Sequence, residues 1–162
     1  MTPLLRLVIA FAAAAMAPVI ALALGYLFEQ FQMMGTGDPS LWIRTLGFMS
    51  LCALVSTAHV VLLGIPAFWL LCRIGTLRWW SVLLAGFVLG CMPMAVLSWP
   101  LRYSDMKSSV TIGHVQTIIS GIPTIAGWQQ YVAVVALFGI CGAFAAAVFW
   151  MVFRAGRHRA VD

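Results

Sequence analysis

The chain alternates long apolar runs with short polar intervals. Leu7 to Phe28, Leu46 to Cys72, Trp79 to Leu101 and Trp128 to Phe153 contain no Asp, Glu, Lys or Arg. A helix of about 20 apolar residues crosses the roughly 30 Å hydrocarbon core of a bilayer, and each run is long enough to do so. Within lipid every backbone N–H and C=O must be bonded inside the segment, which makes helix the expected conformation. The pattern predicts an all-α membrane protein whose helices cover about residues 4–30, 47–72, 79–100 and 127–153. These form an antiparallel four-transmembrane-helix bundle, a single integral membrane domain over 1–162.

The intervals carry their own signals. Gly35-Thr36-Gly37-Asp38-Pro39 reads as a turn followed by a helix start, with Asp38 capping and Pro39 at the first helical position. One or two interfacial turns then lead to Thr45, with Gly47 as a place to bend into helix two. Arg73-Ile74-Gly75-Thr76-Leu77-Arg78 is a short basic turn between helices two and three. The sizeable interval is the extracytoplasmic loop between helices three and four, about residues 101–127, and intervals of this length usually have structure or function of their own. In it Val110-Thr111-Ile112 and Val115-Gln116-Thr117 flank Gly113-His114, which predicts a small hairpin-like loop whose apolar side chains lie over the membrane mouth of the bundle. Thr124 is positioned to cap helix four, and the tail from Arg154 is expected to fray.

Within the runs, Pro18 and Gly64-Ile65-Pro66 predict a kink or local unwinding, because proline removes one rung of the helical ladder. Small residues predict close helix contacts, since lipid supplies no hydrophobic push between helices. They are Ala10, Ala13, Ala14, Ala17 and Ala21 in helix one, Gly86 and Gly90 in helix three, and Gly139, Gly142, Ala143, Ala146 and Ala147 in helix four. A faint likeness between Leu63-Gly64-Ile65-Pro66-Ala67 and Leu89 to Ala95 is read as coincidence.

Composition supports the same class, since a chain 64% hydrophobic and 8% charged is no soluble domain. The net charge of +5 follows topology and gives no reason to expect a nucleic-acid partner. Arg6, Arg73, Arg78, Arg154, Arg157 and Arg159 fall on one side of a four-crossing chain, whereas Arg44, Arg102 and Lys107 on the other are matched by Glu29, Asp38 and Asp105. The positive-inside rule places both termini in the cytoplasm, as expected for a multi-pass protein of the bacterial inner membrane. Tryptophans agree, with Trp42, Trp99 and Trp128 at the outer boundary and Trp69, Trp79, Trp80 and Trp150 at the inner one. The first run resembles a signal peptide around Ala15-Met16-Ala17, but Pro18 directly after it and the length of the run favour retention as helix one.

The candidate chemistry sits at the midplane. Met49, Cys52, Ser56 and His59 form one stripe on helix two, a face expected to turn toward protein. If helices two and three pair about the basic turn, positions of equal depth sum to about 151, which sets His59 level with Cys91 to Met94. The candidate polar or ligand site is therefore Ser56, His59, Cys91 and Met94. His59 has three readings: a structural donor to a carbonyl left by a proline on a neighbouring helix, a proton or solute pathway residue, or a soft-metal ligand together with Cys91 and methionines. No catalytic residue is expected. Ser56-Thr57-Ala58-His59 lacks a carboxylate to orient the imidazole, and no phosphate loop, dinucleotide fingerprint or paired metal motif occurs. Cys52, Cys72, Cys91 and Cys141 give neither a disulfide framework nor a zinc pattern, and no resident metal or cofactor is expected. The preferred expectation is a non-enzymatic protein acting through protein–protein contacts, as an accessory subunit or immunity-type partner of another membrane protein or through self-association. The alternatives are a small transporter or channel with a pathway past His59, and a soft-metal- or cofactor-binding protein.

Overall fold

The computed structural model describes residues 2–34, 40–103, 109–112 and 115–158. In order they form α1 (Pro3–Met34), α2 (Ser40–His59), a π-helical turn (Val60–Gly64), α3 (Ile65–Ile74), α4 (Trp79–Leu97), a 3-10 turn (Pro100–Tyr103), strands β1 (Val110–Ile112), β2 (Val115–Ile119) and β3 (Ile122–Pro123), and α5 (Ile125–His158). Four helical stretches are long and apolar enough to cross a membrane: Leu4–Met33, Ser40–Ile74, Trp79–Leu97 and Ile125–Ala155. The proposed turn Gly35 to Pro39, with its Asp38 cap, and the Gly113-His114 turn lie outside the described residues.

The helix limits depart from the apolar runs for local reasons. Thr2 Oγ1 accepts the Leu5 N–H at 3.4 Å, and Pro3 follows, so α1 has a capping hydroxyl and a residue that needs no donor at its start. The segment from Ser40 is continuous with helix two through Gly47, so no separate interfacial piece forms. Thr45 is buried and returns its hydroxyl to Leu41 O at 2.8 Å. In α4 the ladder stops at Leu97, before Pro100, and Ser98 donates backbone N–H to Met94 O at 2.9 Å. At the other end, α5 continues helically to His158, past the point where the tail was expected to fray.

Pro66 has its effect upstream. Ile65 N–H reaches back five residues to Val60 O, so the turn before the proline is wound as a π turn instead of being lost. Pro66 then occupies the first turn of α3, where its ring fits the helical φ. The helix ends in a Schellman arrangement. Gly75, at φ +72°, donates to Cys72 O at 3.2 Å and Thr76 to Leu71 O at 3.3 Å. A Cβ at Gly75 would meet nothing within 4 Å, so Gly75→Ala should lose only the left-handed backbone preference, about 1–2 kcal/mol. Thermal unfolding in detergent is the measurement, and Gly75→Asn should lose less.

The chain clusters into two compact units, Met1–Gly86 with Ala143–Asp162, and Phe87–Gly142. In the first, Ala10 and Ala14 of α1, Val82 of α4 and Phe149 of α5 form a buried cluster. Phe11, Phe68 and Phe149 meet there with ring centroids 4.8–5.8 Å apart. The buried face of α1 is Ala10, Ala14, Ala15, Val19 and Ala23. Of the alanines expected on it, Ala13 and Ala17 are half-buried and Ala21 is exposed. The buried positions advance four residues at a time, about 40° per step beyond the 3.6-residue period, so the contact winds around the helix and leaves Ala21 outside although it is in line with Ala10 and Ala14.

In the second unit, helices α4 and α5 approach backbone to backbone. A Cβ placed on Gly90 would lie 2.5 Å from Phe138 O and 3.2 Å from Gly142 Cα. The contacts run in opposite directions along the two helices: Cys91 reaches Val135 O and Tyr131 reaches Ala95 O. The strands form an antiparallel sheet in the order β1-β2-β3. Ile112 pairs with Val115 and Thr111 with Gln116, but Val110 pairs with Ile118, leaving Thr117 unmatched as a bulge. Ile119 pairs with Ile122 across Ser120 and Gly121, whose φ values of 50° and 83° are both positive, as a two-residue type I′ turn requires. Thr124 accepts the Gly127 N–H at 3.2 Å, so it caps α5, and its own hydroxyl donates to Gln116 O at 2.8 Å.

Candidate functional site

Ser56 and His59 lie in the first unit, Cys91 and Met94 in the second. On α2, Met49, Cys52, Ser56 and His59 are all half-buried, while Leu51, Leu54 and Val55 beside them are exposed. The stripe at 3-residue and 4-residue spacing is thus the covered side of an otherwise open helix. Its contact with α1 is specific: Ser56 Oγ donates to Ala15 O at 2.7 Å. The carbonyl that Pro18 leaves without its N–H is that of Ala14, four residues before it, so Ser56 bonds the carbonyl next to the freed one. Helix α1 nonetheless continues on both sides of Pro18. Ser56, one turn before His59, ties α2 to this proline-containing helix. His59 closes α2, immediately before the π turn. Toward the other end of the same helix pair, Tyr26 and Phe48 stack with centroids 4.6 Å apart.

Cys91 is held by helix packing. Its Sγ is 3.4 Å from Val135 O, placed to donate, and it lies with Phe87 against Gly139, where a methyl group would overlap both side chains. Met94, one turn further on, is half-buried, and its carbonyl accepts the Ser98 N–H and hydroxyl. Among the described residues, no three His, Cys, Asp or Glu side chains converge as a metal-binding group.

The second unit carries an aromatic cluster where α4 ends and α5 begins. Trp99, Trp128 and Tyr131 meet edge to face, each pair with centroids 5.8 Å apart. Tyr131 Oη donates to Ala95 O at 3.0 Å, supplying a donor to the last turn of α4. Sequence reasoning singled out the two tryptophans but not Tyr131. Its spacing of three from Trp128 was the available signal. In the first unit Arg73 lies over the Trp69 ring at 5.3 Å, a cation–π contact between a basic-turn residue and a tryptophan assigned to the inner boundary.

The hydroxyl bond of Ser56 gives a modest expected effect. Side-chain hydrogen bonds between membrane helices average about 0.6 kcal/mol and reach about 1.7. Ser56→Ala should lower stability by that amount, and His59→Leu should stay within about 2 kcal/mol on the same scale. Unfolding in mixed micelles measures both. A far larger loss for His59→Leu would show that the histidine does more than join helices.

Comparison with protein-family models, with curated proteins and with solved structures found no match.

Proposed function

We propose that this chain is a small multi-pass protein of a bacterial inner membrane that acts by binding another membrane-embedded chain, as an accessory subunit or immunity-type partner. In this reading the apolar stretches cross the bilayer as an antiparallel four-helix bundle, with both termini in the cytoplasm and the three-stranded sheet outside. The observation that carries it is the second span. In the most apolar window of Ser40–Ile74 none of the residues is buried, against 33% for the first span. The uncovered side is not uniformly greasy, because Gly47, Ser50, Thr57 and Ala58 are all exposed on it. Their spacing gathers small and hydroxyl side chains on one face of the helix. Small and hydroxyl residues of this kind let a second helix approach closely and bond across the contact. A Cβ on Gly47 would meet nothing within 4 Å, so the chain's own packing has no use for glycine there.

The test is purification of the tagged full chain from native membranes in mild detergent, after crosslinking, with every retained chain identified by mass spectrometry. A stoichiometric companion or second copy is expected. Gly47→Leu with Thr57→Leu should release it while the unfolding temperature of the isolated chain stays put. Recovery of a bare monomer from wild type sinks the proposal.

A further inference from the structure

Two buried donors in the first unit have nothing to bond. Among the described residues, Arg6 Nε and Ser81 Oγ are shut off from solvent and lack a hydrogen-bond partner. Thr45, Ser50 and Ser98 show the usual solution for a helical hydroxyl, a bond to the carbonyl four residues back. Ser81, only 8% exposed, makes no such bond. The two donors flank one packing layer. Leu7 and Ala10 of α1 pack in the cluster that also holds Leu77 and Val82, at the start of α4, and Arg6 and Ser81 are their neighbours in sequence. Arg6 stands four residues before the fully covered Ala10, so it continues the advance of the buried positions along α1.

The start of α4 adds further donors. Val82 N–H reaches Arg78 O at 3.1 Å, so the amides of Trp79, Trp80 and Ser81 precede the helical ladder and point out of its end. Among the described residues no side-chain oxygen caps them, whereas Thr2 caps α1 and Thr124 caps α5. The residue before this helix is Arg78, a cation where the helix dipole favours an anion. Ser81 lies in the first turn, and its Cα–Cβ bond tilts toward that end. The carboxylates of the chain are Glu29, Asp38, Asp105 and Asp162. Of these Glu29 alone lies among the described residues, at the opposite end of α1 from Arg6.

We infer that Arg6 and the start of α4 form a site for a phosphate oxyanion, held by the Arg6 guanidinium, the Ser81 hydroxyl and the first amides of α4, with Arg78 adding charge. Every unpartnered group there is a donor, and phosphate is an acceptor on all sides. A guanidinium matches it as a fork, and a helix N-terminus meets it with N–H groups at the positive end of the dipole. Both buried atoms are covered, so entry of the anion requires the Arg6 side chain and the Ser81 χ1 rotamer to turn while the helices stay in place. The phosphate has two sources, an anionic phospholipid headgroup or the free ion. Trp79 and Trp80, exposed beside the site, suit the headgroup level, and basic pockets between helices on the cytoplasmic side take anionic headgroups. The lipid source alone rests on the membrane reading.

The test uses the delipidated full chain in dodecyl maltoside and two probes. Phosphatidylglycerol is added to the micelles and its retention read by native mass spectrometry. Inorganic phosphate is read as a rise in unfolding temperature against chloride at equal ionic strength. Wild type should respond to one probe or both. Ser81→Ala and Arg6→Gln should each weaken that response several-fold. Arg73→Gln, which removes the same charge from a side chain lying over Trp69, should leave it unchanged. Retention of phosphatidylglycerol, with or without a phosphate response, supports a headgroup site; a phosphate response alone supports a site for the free ion. A wild type that answers neither probe overturns the inference. Equal losses in Arg6→Gln and Arg73→Gln also overturn it, because they mark diffuse surface attraction, as does a response that Ser81→Ala or Arg6→Gln leaves intact. Should Arg6→Gln not fold, Ser81→Ala decides alone. Without either probe its unfolding temperature should not fall, because the hydroxyl it removes has no bond to lose.

Discussion

Gly90→Ala is expected to destabilise the fold by about 1–3 kcal/mol, the usual range for forcing extra volume into a packed site. The added methyl would lie 2.5 Å from Phe138 O and 3.2 Å from Gly142 Cα. Both neighbours are backbone, so no side-chain rotation relieves the overlap, and helices α4 and α5 must move apart. Separation would also stretch the Cys91 and Tyr131 bonds, each of which reaches a carbonyl on the opposite helix. Gly25→Ala and Gly47→Ala provide the contrast. A Cβ there meets nothing within 4 Å, so the intrinsic helix preference for alanine, up to about 1 kcal/mol, should make both variants neutral or slightly more stable. Opposite signs from the same chemical change, read by thermal unfolding in one detergent, separate close packing from a general effect of glycine. A neutral Gly90→Ala would mean that the two backbones do not touch.

The second large effect is Phe149→Ala. Phe149 is buried at the meeting of Phe11, Phe68 and Phe153, with centroid separations of 4.8, 5.3 and 5.7 Å. In a water-soluble protein, Phe→Ala costs about 3–5 kcal/mol, the sum of a transfer contribution and a cavity contribution. In a membrane the first falls away, because the unfolded reference is itself in lipid. The cavity contribution remains. At about 24 cal/mol per Å³ and roughly 100 Å³ of side chain removed, it gives about 2 kcal/mol. Unfolding in mixed micelles should therefore show a loss near the lower figure, with Phe149→Leu intermediate. A loss at the soluble-protein level would indicate that this part of the chain unfolds into water.

The four long apolar helical stretches are legible in the sequence because their signal is local. An unbroken run without charge is visible along the chain, and Thr2-Pro3, Thr124 and Gly75 mark helix ends through side chains and backbone conformations that belong to single positions. Features set by distant segments are harder to read. Ser40 to Thr45 joins helix two because Leu41 and Thr45 find burial, which no spacing reveals. Ile122-Pro123 reads as a turn, yet it is a short edge strand, since Ser120-Gly121 provides a tight turn and Ile118 a partner. The bulge at Thr117 is not encoded in β2 alone, because the Thr117 carbonyl is taken by Thr124 N–H at 3.0 Å, at the start of α5. For the site, the stripe from Met49 to His59 follows from periodicity. The acceptor of Ser56 does not, because the pattern says which face is polar but not which carbonyl lies opposite.

The π turn has a consequence for how the chain tolerates changes in length. An i to i+5 turn holds one residue more than the α-helix needs at that point, so Val60–Gly64 is a place of slack in an otherwise fixed count. Deleting one of these residues would let the ladder close as ordinary α-helix while the Ser56 side of α2 and the Phe68 side of α3 keep their bearings on α1. The same deletion anywhere else in the span would rotate everything beyond it by about 100°.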